Sequence, residues 1–358
     1  MSIFKDQFPR IGASGQSTGY TIDQSIRFDQ NANASMSRTP SSASSRTTWT
    51  FSWWWKRGNM SGSTNGTNQR QPIFGTTAFS ILSNHNSTQI DGINVVYTGT
   101  ANDVQTSEKF RDVSAWYHFV FVLDTTNSVA SERVRLYKNG ERITNFASIT
   151  YPSKDTTYTV NNTQAHYIGL RNSGENLDGY LAEINFVDGY AYDPSYFGEF
   201  KTDTDIWIPK EYEGSYGTNG FFIDGRDSGD LGDDESGNGN DFSTTGMAAH
   251  DQMLDSPTNN FCVMSSLDFT YNSIRNGNLE TIGGNNNKGG RGTFGFSSGK
   301  FYWEMLATTV SDGYPGSGVV YDTGTLEING LTATTSNTVA GAITEVSDNT
   351  IAFSIALG

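Results

Sequence analysis

Three tryptophans follow one another in "TFSWWWKRG", the run from Thr50 to Gly58. Side chains alternate between the two faces of a β-strand, so Trp49, Phe51, Trp53 and Trp55 share one face while Thr48, Thr50, Ser52, Trp54 and Lys56 share the other. The first set is a core row. Trp54 is an indole in a row of hydroxyls with an ammonium two residues on, and such a surface can stack on a sugar ring. Trp54 and Lys56 are therefore the carbohydrate-binding candidates, the alternative being that Trp54 packs under a loop, under the N-terminal arm or against another subunit.

A second cluster could hold a metal. "GDDESGNGND", from Gly232 to Asp241, offers hard oxygen donors from Asp233, Asp234, Asn238, Asn240 and Asp241, with glycines that let the chain curl around a cation. Ca²⁺ takes six to eight such ligands. The spacing is not that of an EF-hand, and the same composition also makes a purely structural turn. No other cofactor is indicated.

Other chemistry fails on context, and no catalytic residue is assigned. "GQSTG" at Gly15 to Gly19 has the letters of a nucleophile elbow but neither the strand before it nor the helix after it. His85, His118, His166 and His250 are too scattered for a zinc motif. "GGNNNKGGRG" lacks the ending of a phosphate-binding loop.

The elements that must position these groups read as strands. The chain has 358 residues and 39 glycines, and 13% of it is aromatic, so burial falls to a few large side chains that suit sheets. No stretch shows a persuasive helical period. "SIRFDQNANASMSRTP" reads as two short strands with Ile26 and Phe28 on one face. "WYHFVFVLD", apolar on both faces, reads as a central strand. "YKNGE" predicts a tight hairpin turn, because Asn-Gly tolerates the positive φ angles required. Asp193 and Pro194 predict a single helical turn. Net charge is −15, which argues against a nucleic-acid partner. No run of 18 apolar residues is present, so membrane insertion is not expected either. Cys262 is the lone cysteine, and the N-terminal sequence has no apolar run of signal-peptide length.

The ordered set "SIRFD", "WTFSWWWK", "WYHFVFVLD", "VRLYKNGERI", "YIGL" and "LDGYLAEINFVDG" resembles laminin-G-like members of the concanavalin A-like lectin/glucanase fold, over residues 21–200. The resemblance implies an all-β protein with an antiparallel jelly-roll sandwich. Glucanases of this fold carry Glu-x-Asp-x-x-Glu, with one Glu as nucleophile and the other as acid/base. Here the matching positions are Glu183, Asn185 and Asp188, so the middle carboxylate is an amide and the last is a methylene short. A retaining pair needs carboxyls about 5–5.5 Å apart, and an enzyme is not expected. The Gly232 to Asp241 loop is similar to a turn found in laminin-G-like proteins, where it can be structural.

Residues 201–268 read as a loop-rich connection. Beyond it, "SSGKFYWEMLAT", "GYPGSGVVY" and "NTIAFSIAL" resemble successive strands of a SPRY domain, with Tyr302, Trp303 and Glu304 at that family's opening. Residues 269–358 are thus expected to form a second, incomplete β-sandwich. The whole order, with residues 1–20 as an N-terminal attachment arm, resembles structural proteins of tailed bacteriophages. That resemblance implies a virion tail fibre or fibre-like appendage, homotrimeric, assembled in the host cytoplasm, attached to other virion proteins through the arm and touching host-surface glycans. The alternatives are a capsid decoration or head fibre protein with no glycan binding, and a glycan-degrading enzyme of the same fold.

Overall fold

The computed structural model describes residues 19–58, 70–83, 91–97, 103–171, 174–265, 273–282 and 291–295, with three short strands between residues 319 and 333. Two eight-stranded antiparallel sheets pack face to face. In the first, strands run in the order Glu141–Arg142, Val134–Lys138, Trp116–Asp124, Thr48–Arg57, Gly179–Asp188, Ser25–Phe28 and Gln252–Met253, and Phe221–Ile223 also pairs with Gly179–Asp188. The second runs Phe146–Ile149, Val104–Thr106, Ile93–Val96, Ser80–Ser83, Gln71–Gly75, His166–Ile168, Ser35–Arg38 and Ser243–Thr245. The fold is all-β, with only short 3₁₀ turns among the described residues.

Alternation explains the layers. Trp49, Phe51, Trp53 and Trp55 all point into the core, as do Phe119, Phe121 and Leu123 from the neighbouring strand. They meet Phe74, Ile81 and Val95 from the second sheet and Phe79 from the turn before Ser80–Ser83, with Phe51 stacked on Phe74 at 4.6 Å and Trp49 edge-on to Phe79 at 5.3 Å. Each such ring buries roughly 150–250 Å². At about 25 cal/mol per Å² that is on the order of 4–6 kcal/mol before the entropy of ordering is subtracted. The expected central strand, Trp116–Asp124, has partners on both edges.

Local signals behave as their chemistry dictates. Asn139 and Gly140 take φ of 47° and 83°, closing the hairpin between Lys138 and Glu141. A Cβ at Gly140 would also lie 2.4 Å from the Trp207 ring. Pro194–Tyr196 is a single 3₁₀ turn in which the Asp193 carboxylate accepts the Ser195 N–H.

The segment 201–268 does more than connect. Its Phe221–Ile223, Ser243–Thr245 and Gln252–Met253 strands add to both sheets, and intervening residues cover the outer face of the first sheet. Their short length and Gly/Asn-rich flanks hide them from any periodicity. Tyr20 and Ile22 pack onto the same face, whereas residues 1–18 lie outside the described residues. So do Tyr302, Trp303 and Glu304, and with them most of the SPRY-like segment. No described helix is long and apolar enough to cross a membrane.

Candidate functional site

The outer face of the first sheet is closed where the sequence suggests a platform. Trp54 is only 5% exposed, packed with Ile22, Trp116, Tyr180 and Ala182. Its indole stacks on His118, which stacks in turn on Trp207. Trp207 Nε1 donates to His118 Nδ1 at 2.9 Å, so the ring's proton is on Nε2, facing Ser52 Oγ at 2.8 Å. Burial holds this imidazole neutral, its pKa lowered to about 3. Lys56 is fully buried, and its Nζ donates to Asp255 Oδ2 at 2.7 Å, Asn260 Oδ1 at 2.8 Å and the Phe261 carbonyl at 2.6 Å. Those three acceptors use every N–H the ammonium has. Asp255 in turn accepts from Trp116 Nε1 and the Phe261 N–H. Burial lowers the Lys56 pKa and raises that of Asp255, while their mutual attraction opposes both shifts. Trp54 and Lys56 therefore form no carbohydrate platform, because residues 20–22, Trp207 and Met253 cover the first and the Asp255 to Phe261 segment clasps the second.

The proposed calcium loop is also spoken for. Asp234 Oδ1 accepts the N–H of Phe222 and of Ser236, and its Oδ2 accepts Asn240 N–H and Ser236 Oγ–H. Asp241 accepts the Asp234 N–H. Asn238 and Asn240 point their amide groups at the carbonyls of Gly217, Thr218 and Gly220, and Arg38 bonds the Asn240 side-chain oxygen. Burial and the nearby Asp241 push the Asp233 carboxyl upward. Asp234, Asn238, Asn240 and Asp241 make a turn that ties Phe221–Ile223 in place. No group of three or more His, Cys, Asp or Glu side chains suited to a metal occurs among the described residues.

Glu183 occupies a β-bulge. Ala182 faces Trp54 and Asn185 faces Ser52, so Glu183 and Ile184 together oppose Trp53. The bulge falls where the strand exchanges one neighbour, Ser25–Phe28, for another, Phe221–Ile223. Glu183 has a φ of 49°, a left-handed conformation that costs energy in a non-glycine residue. Glu183 is 6% exposed, and its carboxyl accepts the Tyr20 hydroxyl at 2.8 Å. Burial raises its pKa to about 8, an effect the Tyr20 bond reduces. Asp188 serves different partners: its carboxylate accepts from Ser45 N–H, Asn161 Nδ2 and Asn219 N–H. Asn185 spans Tyr216 and the Glu183 carbonyl. The pattern Glu183, Asn185, Asp188 is thus three separate structural attachments.

An open site lies elsewhere, where strands of both sheets end. Arg46 precedes Thr48–Arg57, Tyr97 follows Ile93–Val96, and Thr150 to Thr159 follow Phe146–Ile149. These residues line a groove of about 500 Å³, within the usual range for a ligand site. Tyr151 is 37% exposed, and Tyr97 and Tyr158 lie with ring centroids 5.1 Å apart. Thr150, Ser153, Thr156, Thr157 and Thr159 complete the lining, the Thr159 hydroxyl being bonded to that of Thr76. The walls are fixed. Arg133 bonds the Pro152 carbonyl, Thr125 bonds the Thr156 carbonyl, and Arg46 Nε bonds the Tyr158 carbonyl at 2.7 Å. The Tyr97 hydroxyl is buried without a hydrogen-bond partner, an arrangement uncommon enough in a native fold to want a reason. Burial, with the Asp103 carboxylate nearby, raises the pKa of Tyr97 strongly and that of Tyr158 to about 12.

Residues 29–192 match a laminin-G family model described as the concanavalin A-like lectin/glucanases superfamily. The sandwich is laminin-G-like, with a concanavalin A-like fold. No curated protein matches the chain. Among solved structures, a native heptameric SAP-like pentraxin from Limulus polyphemus aligns at 15% identity and a TM-score of 0.34, over 48% of this chain and 78% of that one. The binding domain of Paraclostridial Mosquitocidal Protein 1 aligns at 16% identity and 0.34, over 48% of this chain and 41% of its own length. On the laminin-G-like sandwich the groove residues Arg46, Tyr97, Tyr151 and Tyr158 escape sequence reasoning. The signal available was "SITYPSKDTTYT", where tyrosines alternate with a dense run of hydroxyls and no strand pattern claims them.

Proposed function

We propose that the chain is a non-catalytic glycan-binding module, and that the groove between Arg46, Tyr97 and the Thr150 to Thr159 segment is its binding site. The observation that carries this reading is the lining itself: tyrosines, one of them exposed, beside a run of threonines and a serine. Sugar rings present apolar faces that stack on aromatic side chains and hydroxyls that exchange hydrogen bonds, and the groove offers both. Binding rather than hydrolysis is favoured by Glu183 and Asp188, each committed to its own internal partners.

In the wider setting we place the module on a virion tail fibre or fibre-like appendage of a tailed bacteriophage. Residues 1–18 would attach it to other virion proteins, several copies, as in a homotrimer, would add avidity, and host-surface glycans would be the ligands. The sequence resemblance supports this setting, as does the docking of Tyr20 and Ile22 on the sandwich, which gives a preceding arm a fixed exit. The test is a glycan panel that includes host polysaccharide. The wild-type chain should bind, Tyr151→Ala should bind more weakly, and reducing ends should not appear with either wild type or Glu183→Gln. Absence of binding across the panel would favour a decoration or shaft role, and release of reducing ends abolished by Glu183→Gln would establish an enzyme. Removal of residues 1–18 should leave the sandwich folded and its incorporation into particles lost.

A further inference from the structure

Arg46 is the feature of the groove that neutral sugar recognition does not explain. The chain carries 38 acidic and 23 basic residues, yet the groove lining contains one cation and no carboxylate. Elsewhere buried cations are matched: Lys56 by Asp255, Arg57 by Asp91, and Arg27 by Asp251. Arg46 is half-buried, and the one hydrogen bond of its side chain among the described residues runs from Nε to the Tyr158 carbonyl, with no ion pair among them. That bond fixes the plane of the guanidinium and leaves both terminal nitrogens as donors. A planar fork with two parallel N–H groups is the shape that accepts a carboxylate, sulfate or phosphate. The Asp103 carboxylate is buried and accepts the Tyr97 N–H, and Lys154 and Asp155, exposed at the rim, face each other at 3.9 Å.

We propose that the groove selects acidic saccharides, with Arg46 pairing to the anionic group while Tyr151 and Tyr158 carry the ring. This rests on the reading of the groove as a glycan site and names the class of glycan. The chain's net negative charge repels such ligands at long range, where salt screens it. Selectivity must therefore come from a local, oriented contact.

The experiment measures affinity of the full chain for tri-galacturonate, its methyl ester, dextran sulfate and dextran, for wild type, Arg46→Gln and Arg46→Lys. Hydrogen bonds to a charged group favour tri-galacturonate over its ester by roughly 10- to 100-fold. Arg46→Gln should bring the two within about twofold, with the acid losing far more affinity than the ester, and Arg46→Lys should restore part of the preference. Preference for dextran sulfate over dextran would show that any anion serves, and its absence would assign the site to carboxylates. Equal wild-type affinity for acid and ester overturns this inference and leaves the glycan reading standing. Equal loss of acid and ester in Arg46→Gln also overturns it, since Arg46 would then only hold the wall. No affinity for any of the four, or for the wider panel, removes the glycan reading itself.

Discussion

Two regions of this sandwich pair aromatic rings with a cation, and only one of them is open. Around Trp54 and Lys56 the chain itself supplies every acceptor: Asp255, Asn260 and the Phe261 carbonyl close on the ammonium, and Trp54 is 5% exposed. Around Tyr151 and Arg46 the chain supplies one carbonyl to the guanidinium and leaves Tyr151 37% exposed. The residue types are alike in the two places. What separates a site from a piece of core is whether the fold completes the polar partners from within.

Breaking the closed region should have the largest effect. Asp255→Ala leaves the Lys56 ammonium buried without its counter-charge, and removing one partner of a buried pair costs about 3–5 kcal/mol. Chemical denaturation would measure this, and the double change Lys56→Met, Asp255→Leu should recover much of the loss. Trp54→Ala should cost about 3–5 kcal/mol, as large aromatic truncations do, with glycan affinity of the folded fraction unchanged. A drop in affinity at unchanged stability would reverse the comparison and restore Trp54 as a platform.

The next effect is a dependence on pH. Glu183 lies beneath Tyr20 at the edge of the closed region, its pKa raised from the ordinary 4.5 to about 8. The folded state therefore holds a proton that the unfolded chain releases. The stabilisation is complete below about pH 4.5 and is lost as pH rises through about 8. The difference in stability between wild type and Glu183→Gln, measured from pH 4 to 9, should shift in favour of the glutamine variant across that window. A flat difference would mean that the carboxyl is solvated. The smallest change in stability belongs to the open region. Tyr151→Ala should alter it by no more than about 0.5 kcal/mol while weakening saccharide binding by roughly 2- to 12-fold, the worth of one aromatic contact.

The sheets were legible in the sequence because they obey alternation. Trp49, Phe51, Trp53 and Trp55 are all core, the Asn139–Gly140 turn has the φ angles its residues favour, and Asp193 caps the turn expected of it. Trp54 was ambiguous for a physical reason. Alternation assigns a side chain to a face but says nothing of what covers that face, and the cover comes from residues 20–22, Trp207 and Met253. The loop around Asp234 misleads similarly, since the oxygens that suit a cation also suit backbone N–H groups. The groove was invisible because Arg46, Tyr97 and Tyr151 belong to three separate strand ends that only the pairing of both sheets brings together.

The position of the two regions along one strand has a mechanical consequence. Arg46 adjoins the Thr48 end of Thr48–Arg57, while Lys56, near the other end, is clasped by Asp255, close to where Ile22 meets Ser256 and Thr258. From Thr48 to Lys56 is on the order of 25 Å at the usual rise per residue. Tension between a ligand in the groove and whatever holds the chain near Ile22 would therefore run lengthwise along that strand. Its bonds to Trp116–Asp124 and Gly179–Asp188 would be strained together in shear, the direction in which a sheet yields last.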